Sequence, residues 1–216
     1  MTVQSDRVTV IDVYADPVCP YAWIASRWLE GVAPFRPVEL RHHVMSLRIL
    51  NEGHHQETAY QANITRTAGP SRVFTAAAVH VGEGILRELY TAFGTRWFAR
   101  WRRPDPDELR DTMEAALTDV GLPAWLVEAA DTDTYDGALA DSHADAVGDL
   151  GRGAGTPILH LDGVPWFGPV LDAIPDGQEA LDLYDALLTL TRHNYFSEIR
   201  RARSRPPRLP SSSSPA

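Results

Sequence analysis

Residues 8–23, Val-Thr-Val-Ile-Asp-Val-Tyr-Ala-Asp-Pro-Val-Cys-Pro-Tyr-Ala-Trp, indicate the fold of this chain. The first half, Val8–Ala15, is rich in β-branched residues and predicts a buried strand. Asp16-Pro17 ends that strand. Cys19-Pro20 then opens a helix, because a proline in the first helical turn removes no donor that the helix needs. The sequence therefore predicts a strand-to-helix turn with a cysteine at the start of the helix.

The surrounding residues extend this turn into an α/β fold. A second strand, predicted at 38–46, completes a strand-helix-strand unit of the parallel type. Asp162-Gly163 joins two short strands in a hairpin, and an amphipathic helix follows over 178–192. The interval between carries five helical patterns, at 55–68, 72–81, 86–101, 106–120 and 135–150. We expect a helical insertion, 51–150, within a domain formed by 1–50 and 151–196, and a disordered tail over 197–216.

The composition disfavours several classes of protein. The formal net charge of −9 over 216 residues disfavours nucleic-acid binding, which usually needs a basic face. The sequence has neither an export signal nor an apolar run of about 18 residues, so we expect a cytoplasmic protein that does not bind membranes. Paired histidines such as His42-His43 point to opposite faces of a strand, and we expect no metal. The sequence leaves open whether the protein is a monomer or a homodimer.

The chain has one cysteine, which cannot form an internal disulfide bond. At a helix N-terminus the free backbone N–H groups favour an anion, and the pKa of a thiol there falls from about 8.5 to as low as ~3.5–7. We therefore predict that Cys19 is a nucleophile rather than a packed structural cysteine. In Cys19-Pro20-Tyr21-Ala22, alanine stands where the redox motif Cys-x-x-Cys has its second cysteine. An external thiol must therefore release any mixed disulfide at Cys19.

Thr156-Pro157 follows a glycine-rich stretch and precedes a predicted strand. In a sheet of this order we expect a cis peptide bond before Pro157. The backbone of Thr156 would then be free to pair with an extended thiol substrate, in the manner of an added strand.

Four segments carry a resemblance to a known family: Asp16–Trp23, His43–Glu52, Gly155–Pro157 and Phe167–Val170. Together they resemble the actinobacterial mycothiol-dependent nitroreductase and mycoredoxin-like proteins of the DsbA-like superfamily. More distantly, the chain is similar to kappa-class glutathione transferases and 2-hydroxychromene-2-carboxylate isomerases.

The resemblance implies a thioredoxin-like fold with a helical insertion domain and a low-molecular-weight thiol, mycothiol, as cosubstrate. The second substrate would be a small electrophile, a disulfide, a mixed disulfide or a nitro compound. Cys19 would be the catalytic residue. The implied thiol- and substrate-binding residues are Pro20, Tyr21, Ala22, Asn51, Thr156, Pro157, Gly168, Pro169 and Val170.

Two other functions remain open from the sequence. In a transferase or isomerase, Cys19 would only orient the thiolate of the bound cosubstrate, as serine does in the kappa-class relatives. A non-catalytic protein that binds a thiol or a partner is the other alternative, because an inactive redox site would also lack the second cysteine.

Overall fold

The computed structural model describes residues 7–52, 68–99, 106–203 and 205–209. In these residues a four-stranded sheet has the order β2-β1-β3-β4. Its strands are β1 (Thr9–Ala15), β2 (Val38–Val44), β3 (Ile158–Leu161) and β4 (Val164–Phe167). β1 pairs with β2 in parallel and with β3 antiparallel, and β3 and β4 form an antiparallel hairpin. This is the sheet of a thioredoxin-like fold, as the sequence predicted.

The helices that the structure describes between β2 and β3 lie, except for α2, within 51–150, the interval for which the sequence predicts an insertion. They are α2 (Leu47–Leu50), α3 (Ala68–Val81), α4 (Leu86–Ala99), α5 (Pro106–Asp119) and α6 (Asp136–Val147). Short 3-10 turns lie at Glu83–Ile85, Ala124–Asp131 and Gly148–Gly153. A bidentate ion pair ties α3 to α6, because Arg72 donates to both carboxylate oxygens of Asp136 at 2.7 and 2.8 Å.

Helix α1 (Pro20–Val32) follows β1, and α7 (Gly177–Thr191) follows the hairpin. The indole N–H of Trp28 on α1 donates to the backbone oxygen of Ala180 on α7 at 2.9 Å, so the two helices are joined through a buried hydrogen bond.

Two hydrophobic clusters meet α1 on different sides. Cys19, Ala22 and Trp23 belong to a cluster formed largely by α3, α4 and α5. Trp28 and Leu29 belong to a second cluster, with β1, β3 and α7. The first turn of α1 is therefore the place where the helical segment packs against the end of the sheet.

Most of the predicted elements are present, with shifted ends. β1, α1, the hairpin, α4, α5, α6 and α7 lie within one to three residues of their predicted bounds where the structure describes them. α3 is described from Ala68, four residues before the predicted start. The helix expected at 55–68 lies, apart from Ala68, outside the described residues. Neither α2 nor the 3-10 turn at Ala124–Asp131 was predicted. No helix in the described part of the chain is long and apolar enough to span a membrane.

The C-terminal segment returns to the body of the protein in the part that is described. The backbone N–H of Arg208 donates to the backbone oxygen of Asp172 at 2.7 Å. The guanidinium of Arg203 lies 5.4 Å from the ring centroid of Tyr21. Leu209 is partly buried against the cluster that contains Cys19. The expectation of a disordered tail over 197–216 stays a prediction, and residues 204 and 210–216 lie outside the described part.

Candidate thiol site at the start of helix α1

Cys19 is the N-cap residue of α1, with extended backbone and Pro20 at the start of the helix. Its backbone oxygen accepts the N–H of Trp23 at 3.0 Å, which forms the first turn. The thiol lies 3.7 Å from the backbone oxygen of Thr156 and donates to it. The backbone N–H groups of Ala22 and Tyr21 lie near enough to the sulfur to act to lower its pKa. The sequence thus located the cysteine correctly at a helix N-terminus.

The segment that faces Cys19 is built from the loop before β3 and the end of β4. The Thr156–Pro157 peptide bond is cis, as expected, and the Gly168–Pro169 bond is cis as well. The N–H of Gly168 donates to the backbone oxygen of Pro157 at 2.9 Å. A Cβ atom at residue 155 would lie 2.8 Å from the ring of Phe167. Glycine at this position therefore permits the loop before β3 to approach the end of β4 closely. The structure therefore joins Gly168, which Pro169 and Val170 follow in the chain, to the loop whose Thr156 oxygen accepts from the thiol.

The pKa of the Cys19 thiol differs from the sequence expectation. This pKa is raised from 9.0 to about 12, mainly by burial and to a smaller extent by the nearby charge of Asp16. The backbone N–H groups of Ala22 and Tyr21 and the side chain of Thr156 act in the opposite direction but are outweighed. The expectation of a lowered pKa was wrong because it counted the helix N-terminus and not the loss of water around a sulfur that is 4% exposed. The resting thiol is protonated, which weighs against a permanently ionised nucleophile.

Asp16 is a buried carboxylate next to this thiol that sequence reasoning treated only as the end of a strand. One oxygen accepts the N–H of Val18 at 3.0 Å; the other accepts the N–H of Leu47 at 2.7 Å and the hydroxyl of Ser71 at 3.5 Å. Asp16 therefore ties the cysteine loop to α2 and α3. Burial raises its pKa from 3.8 to about 6, although the hydrogen bonds act to lower it. The sequence signal that could have indicated this role is an acidic residue placed between a predicted buried strand and a cysteine.

Comparison with known proteins identifies the family. A profile of the family described as mycothiol-dependent nitroreductase Rv2466c matches residues 18–201, which include Cys19, the helical segment and the Thr156-Pro157 loop. The chain belongs to the Rv2466c-like family. The uncharacterized protein Rv2286c of Mycobacterium tuberculosis is 28% identical over 200 residues, covering 91% of this chain and 84% of that protein.

Solved structures place this Rv2466c-like protein among DsbA-like folds. The 2-hydroxychromene-2-carboxylate isomerase structure matches 86% of this chain and 97% of its own, with a TM-score of 0.53 and 15% identity. A probable DsbA oxidoreductase from Streptomyces coelicolor, SCO1869, matches 91% of this chain and 94% of its own, with a TM-score of 0.53 and 16% identity. At these identities the likeness concerns the fold alone. It confirms the predicted thioredoxin-like class with a helical insertion.

Other predicted binding residues of this Rv2466c-like protein lie in or next to the loop that carries Cys19. Ala22 is fully buried, and Tyr21 is partly buried beneath Arg203. Asn51 ends α2, and its side-chain amide donates to the backbone oxygen of Leu47 at 2.7 Å. Because Leu47 also binds Asp16, Asn51 is connected to the cysteine loop through α2. Thiol binding by these residues remains a prediction.

Within the described residues, no group of three or more His, Cys, Asp or Glu side chains is placed to hold a metal ion.

Proposed function

We propose that this protein is a thiol oxidoreductase that uses mycothiol to reduce a disulfide, mixed-disulfide or nitro substrate, with Cys19 as its nucleophile. Membership of the Rv2466c-like family supports the reaction class and the thiol. The observation that carries the role of Cys19 is its position: a sulfur at a helix N-terminus, with two backbone N–H groups and the oxygen of Thr156 directed to it. The N–H groups can stabilise a sulfur anion when one forms, whereas the Thr156 oxygen accepts from the thiol and favours its protonated form.

The proposed cycle has two exchange steps. For a protein thiol blocked by mycothiol, the Cys19 thiolate attacks the mycothiol sulfur. The substrate S–S bond breaks, and the protein thiolate leaves and takes a proton. A second mycothiol thiolate then attacks the adduct, which restores Cys19 and yields mycothiol disulfide. The external thiol is required because the chain has no second cysteine.

A nitro substrate obeys the same electron balance. Its reduction to a nitroso compound takes two electrons and two protons, which two thiols supply when they become one disulfide with the release of water.

Ionisation of Cys19 belongs to the reaction rather than to the resting protein. With a pKa near 12, the thiol keeps its proton at neutral pH. The proposed attack therefore requires proton loss as the substrate enters, and the N–H groups of Tyr21 and Ala22 are the donors that stabilise the resulting anion.

The raised pKa favours a second candidate function. A thiol that keeps its proton can donate a hydrogen bond to the thiolate of a bound cosubstrate and hold it in place without forming a disulfide. The protein would then be a transferase or isomerase, with Cys19 in an orienting role.

Mass spectrometry after incubation with oxidised mycothiol separates these functions. We expect one mycothiol adduct on the wild-type chain and none on Cys19→Ser, whose hydroxyl has a similar size but does not ionise at neutral pH. Saturable binding without an adduct would support the orienting role. Neither an adduct nor binding would contradict both proposals and favour a non-catalytic protein.

Turnover of a mixed disulfide gives a kinetic test of the same proposal. We expect Cys19→Ser to abolish turnover and leave the fold intact, as judged by circular dichroism. If the variant kept activity within about twofold of the wild type, the covalent mechanism would be wrong, because its first bond would not form.

A further inference from the structure

Helix α4 approaches the start of α1 closely, because residue 94 has no side chain. A Cβ atom at Gly94 would lie 2.2 Å from the ring of Trp23, which is closer than real carbon atoms approach. Trp23 closes the first turn of α1, since its N–H donates to the backbone oxygen of Cys19. The absence of a side chain at residue 94 thus lets α4 pack directly against the cysteine motif.

Tyr90 lies one turn before Gly94 on the same helix. The edge of its ring meets Trp23, with the ring centroids 5.6 Å apart, and the ring of His42 lies at 5.8 Å. Tyr90 is 3% exposed and belongs to the same cluster of buried side chains as Cys19. Its hydroxyl has no hydrogen-bond partner among the residues that the structure describes.

A buried hydroxyl without a partner destabilises a fold, and phenylalanine would fill the same space without that cost. The ring contacts of Tyr90 do not require the oxygen. The buried hydroxyl of Tyr184 also lacks a partner among the described residues, but Tyr90, unlike Tyr184, lies in the cluster of Cys19, where an acceptor forms when the thiol ionises. Burial, followed by the charges of Cys19 and Asp16, holds the pKa of Tyr90 well above its usual value, so the phenol keeps its proton and remains a donor.

We infer that the Tyr90 hydroxyl donates a hydrogen bond to the sulfur anion that forms at Cys19 during the reaction. The inference rests on the proposed function, in which that anion forms. In the protonated state the thiol donates to Thr156 and needs no further donor. After proton loss the sulfur becomes an acceptor in an apolar cluster, where a nearby phenol supplies a donor that the helix N-terminus alone does not.

Alkylation of the protein by iodoacetamide tests this inference directly. Cys19 is the single cysteine, so thiol alkylation reports on that residue alone. Between about pH 7 and pH 10 the rate follows the thiolate fraction. We expect Tyr90→Phe to lower the rate about tenfold at each pH, which corresponds to a rise of about one unit in the thiol pKa.

Other groups near the Tyr90 hydroxyl are unchanged in this variant. They are Asp16, Arg27 on α1 and His42 on β2. Burial lowers the pKa of His42 to about 4, and that of Asp16 is about 6, so neither changes charge over most of the measured range. A displaced rate profile therefore reports on the lost hydroxyl.

Thermal unfolding distinguishes this role from a structural one. We expect the melting temperature of Tyr90→Phe to equal or exceed that of the wild type. A melting temperature several degrees lower would overturn the inference, because it would show that the hydroxyl has a partner in the resting fold. A rate profile that coincides with the wild type would also overturn it.

Tyr184→Phe is the matched control. Tyr184 is equally buried but lies in the cluster with Trp28, away from Cys19, and its variant should keep the wild-type rate profile. An equal rate change in both variants would overturn the inference. The test is independent of mycothiol: failure to form a mycothiol adduct would contradict the proposed function, whereas an unchanged alkylation profile would contradict the role of Tyr90.

Discussion

Among single residues, Asp16 combines complete burial with a strong electrostatic effect. Its folded pKa of about 6 lies above the ordinary value of 3.8, because burial outweighs its three hydrogen bonds. The folded state therefore holds the proton more tightly than the unfolded chain. Its contribution to stability is fully present below pH 3.8 and is lost as the pH rises through about 6.

The variant Asp16→Asn should show how far the free energy of unfolding depends on the ionisation of Asp16. The free energy of unfolding of the wild type, relative to the variant, should fall by up to roughly 3 kcal/mol between about pH 4 and pH 7. The variant has no proton to lose there. Denaturant unfolding of both proteins at several pH values measures the difference. A difference that does not change with pH would contradict the raised pKa.

For Cys19, the sequence predicted the position of the residue correctly but not the direction of its pKa shift. Its place at the start of a helix followed from local sequence, because proline and the strand before it are neighbours in the chain. Its burial depends on α4, whose Tyr90 and Trp97 lie some seventy or more positions away in the sequence. Local pattern contains no information about such contacts, so the direction of the pKa shift was missed.

On the scale of elements, the regular pieces were predictable and the irregular ones were not. The hydrophobic period identified α1 and α7, whose apolar faces repeat over several turns. The four-residue helix α2 and the 3-10 turn at Ala124–Asp131 are too short to show a period. The hydrogen bond from the N–H of Leu47 to Asp16 could therefore not be predicted from the sequence, although it holds α2 against the cysteine loop.

The first turn of α1 allows a test in which a second thiol is introduced. Residue 22 lies three positions after Cys19, about one helical turn along α1. Ala22→Cys should form an internal disulfide with Cys19, because the introduced thiol attacks the adduct locally. Mass analysis after oxidised mycothiol should then show release of the adduct that does not depend on added thiol.

Cys19→Ser combined with Ala22→Cys is the control, since it cannot form the internal bond. A single Ala22→Cys variant that kept a stable mycothiol adduct and formed no internal disulfide would show that residue 22 does not face Cys19.

Considering the whole molecule, the C-terminal segment links regions that the sequence treated as separate. From composition alone, removal of residues 206–216 should change nothing. The contacts of Arg208 with Asp172 and of Leu209 with the Cys19 cluster lead to a different expectation. A chain that ends at Arg205 should melt about 2–4 °C lower, because a partly buried leucine contributes about 1 kcal/mol in a domain of this size.

Calorimetry of the shortened chain measures this effect, with Ile199→Ala as the control. Ile199 lies in the same segment but is 81% exposed, so its loss should leave the melting temperature unchanged. A shortened chain with wild-type stability would show that residues 206–216 contribute nothing to the fold.

The distance along the chain between Cys19 and Thr156 has a consequence for protein synthesis. The two residues that meet at the sulfur are 137 positions apart. At about 5–20 residues per second, a ribosome needs roughly 7–27 s to make the intervening chain. The cysteine therefore leaves the ribosome well before Thr156, to whose backbone oxygen its thiol later donates, and until the chain folds an oxidant meets a thiol in water. The nascent chain is therefore the form in which this cysteine is most open to damage.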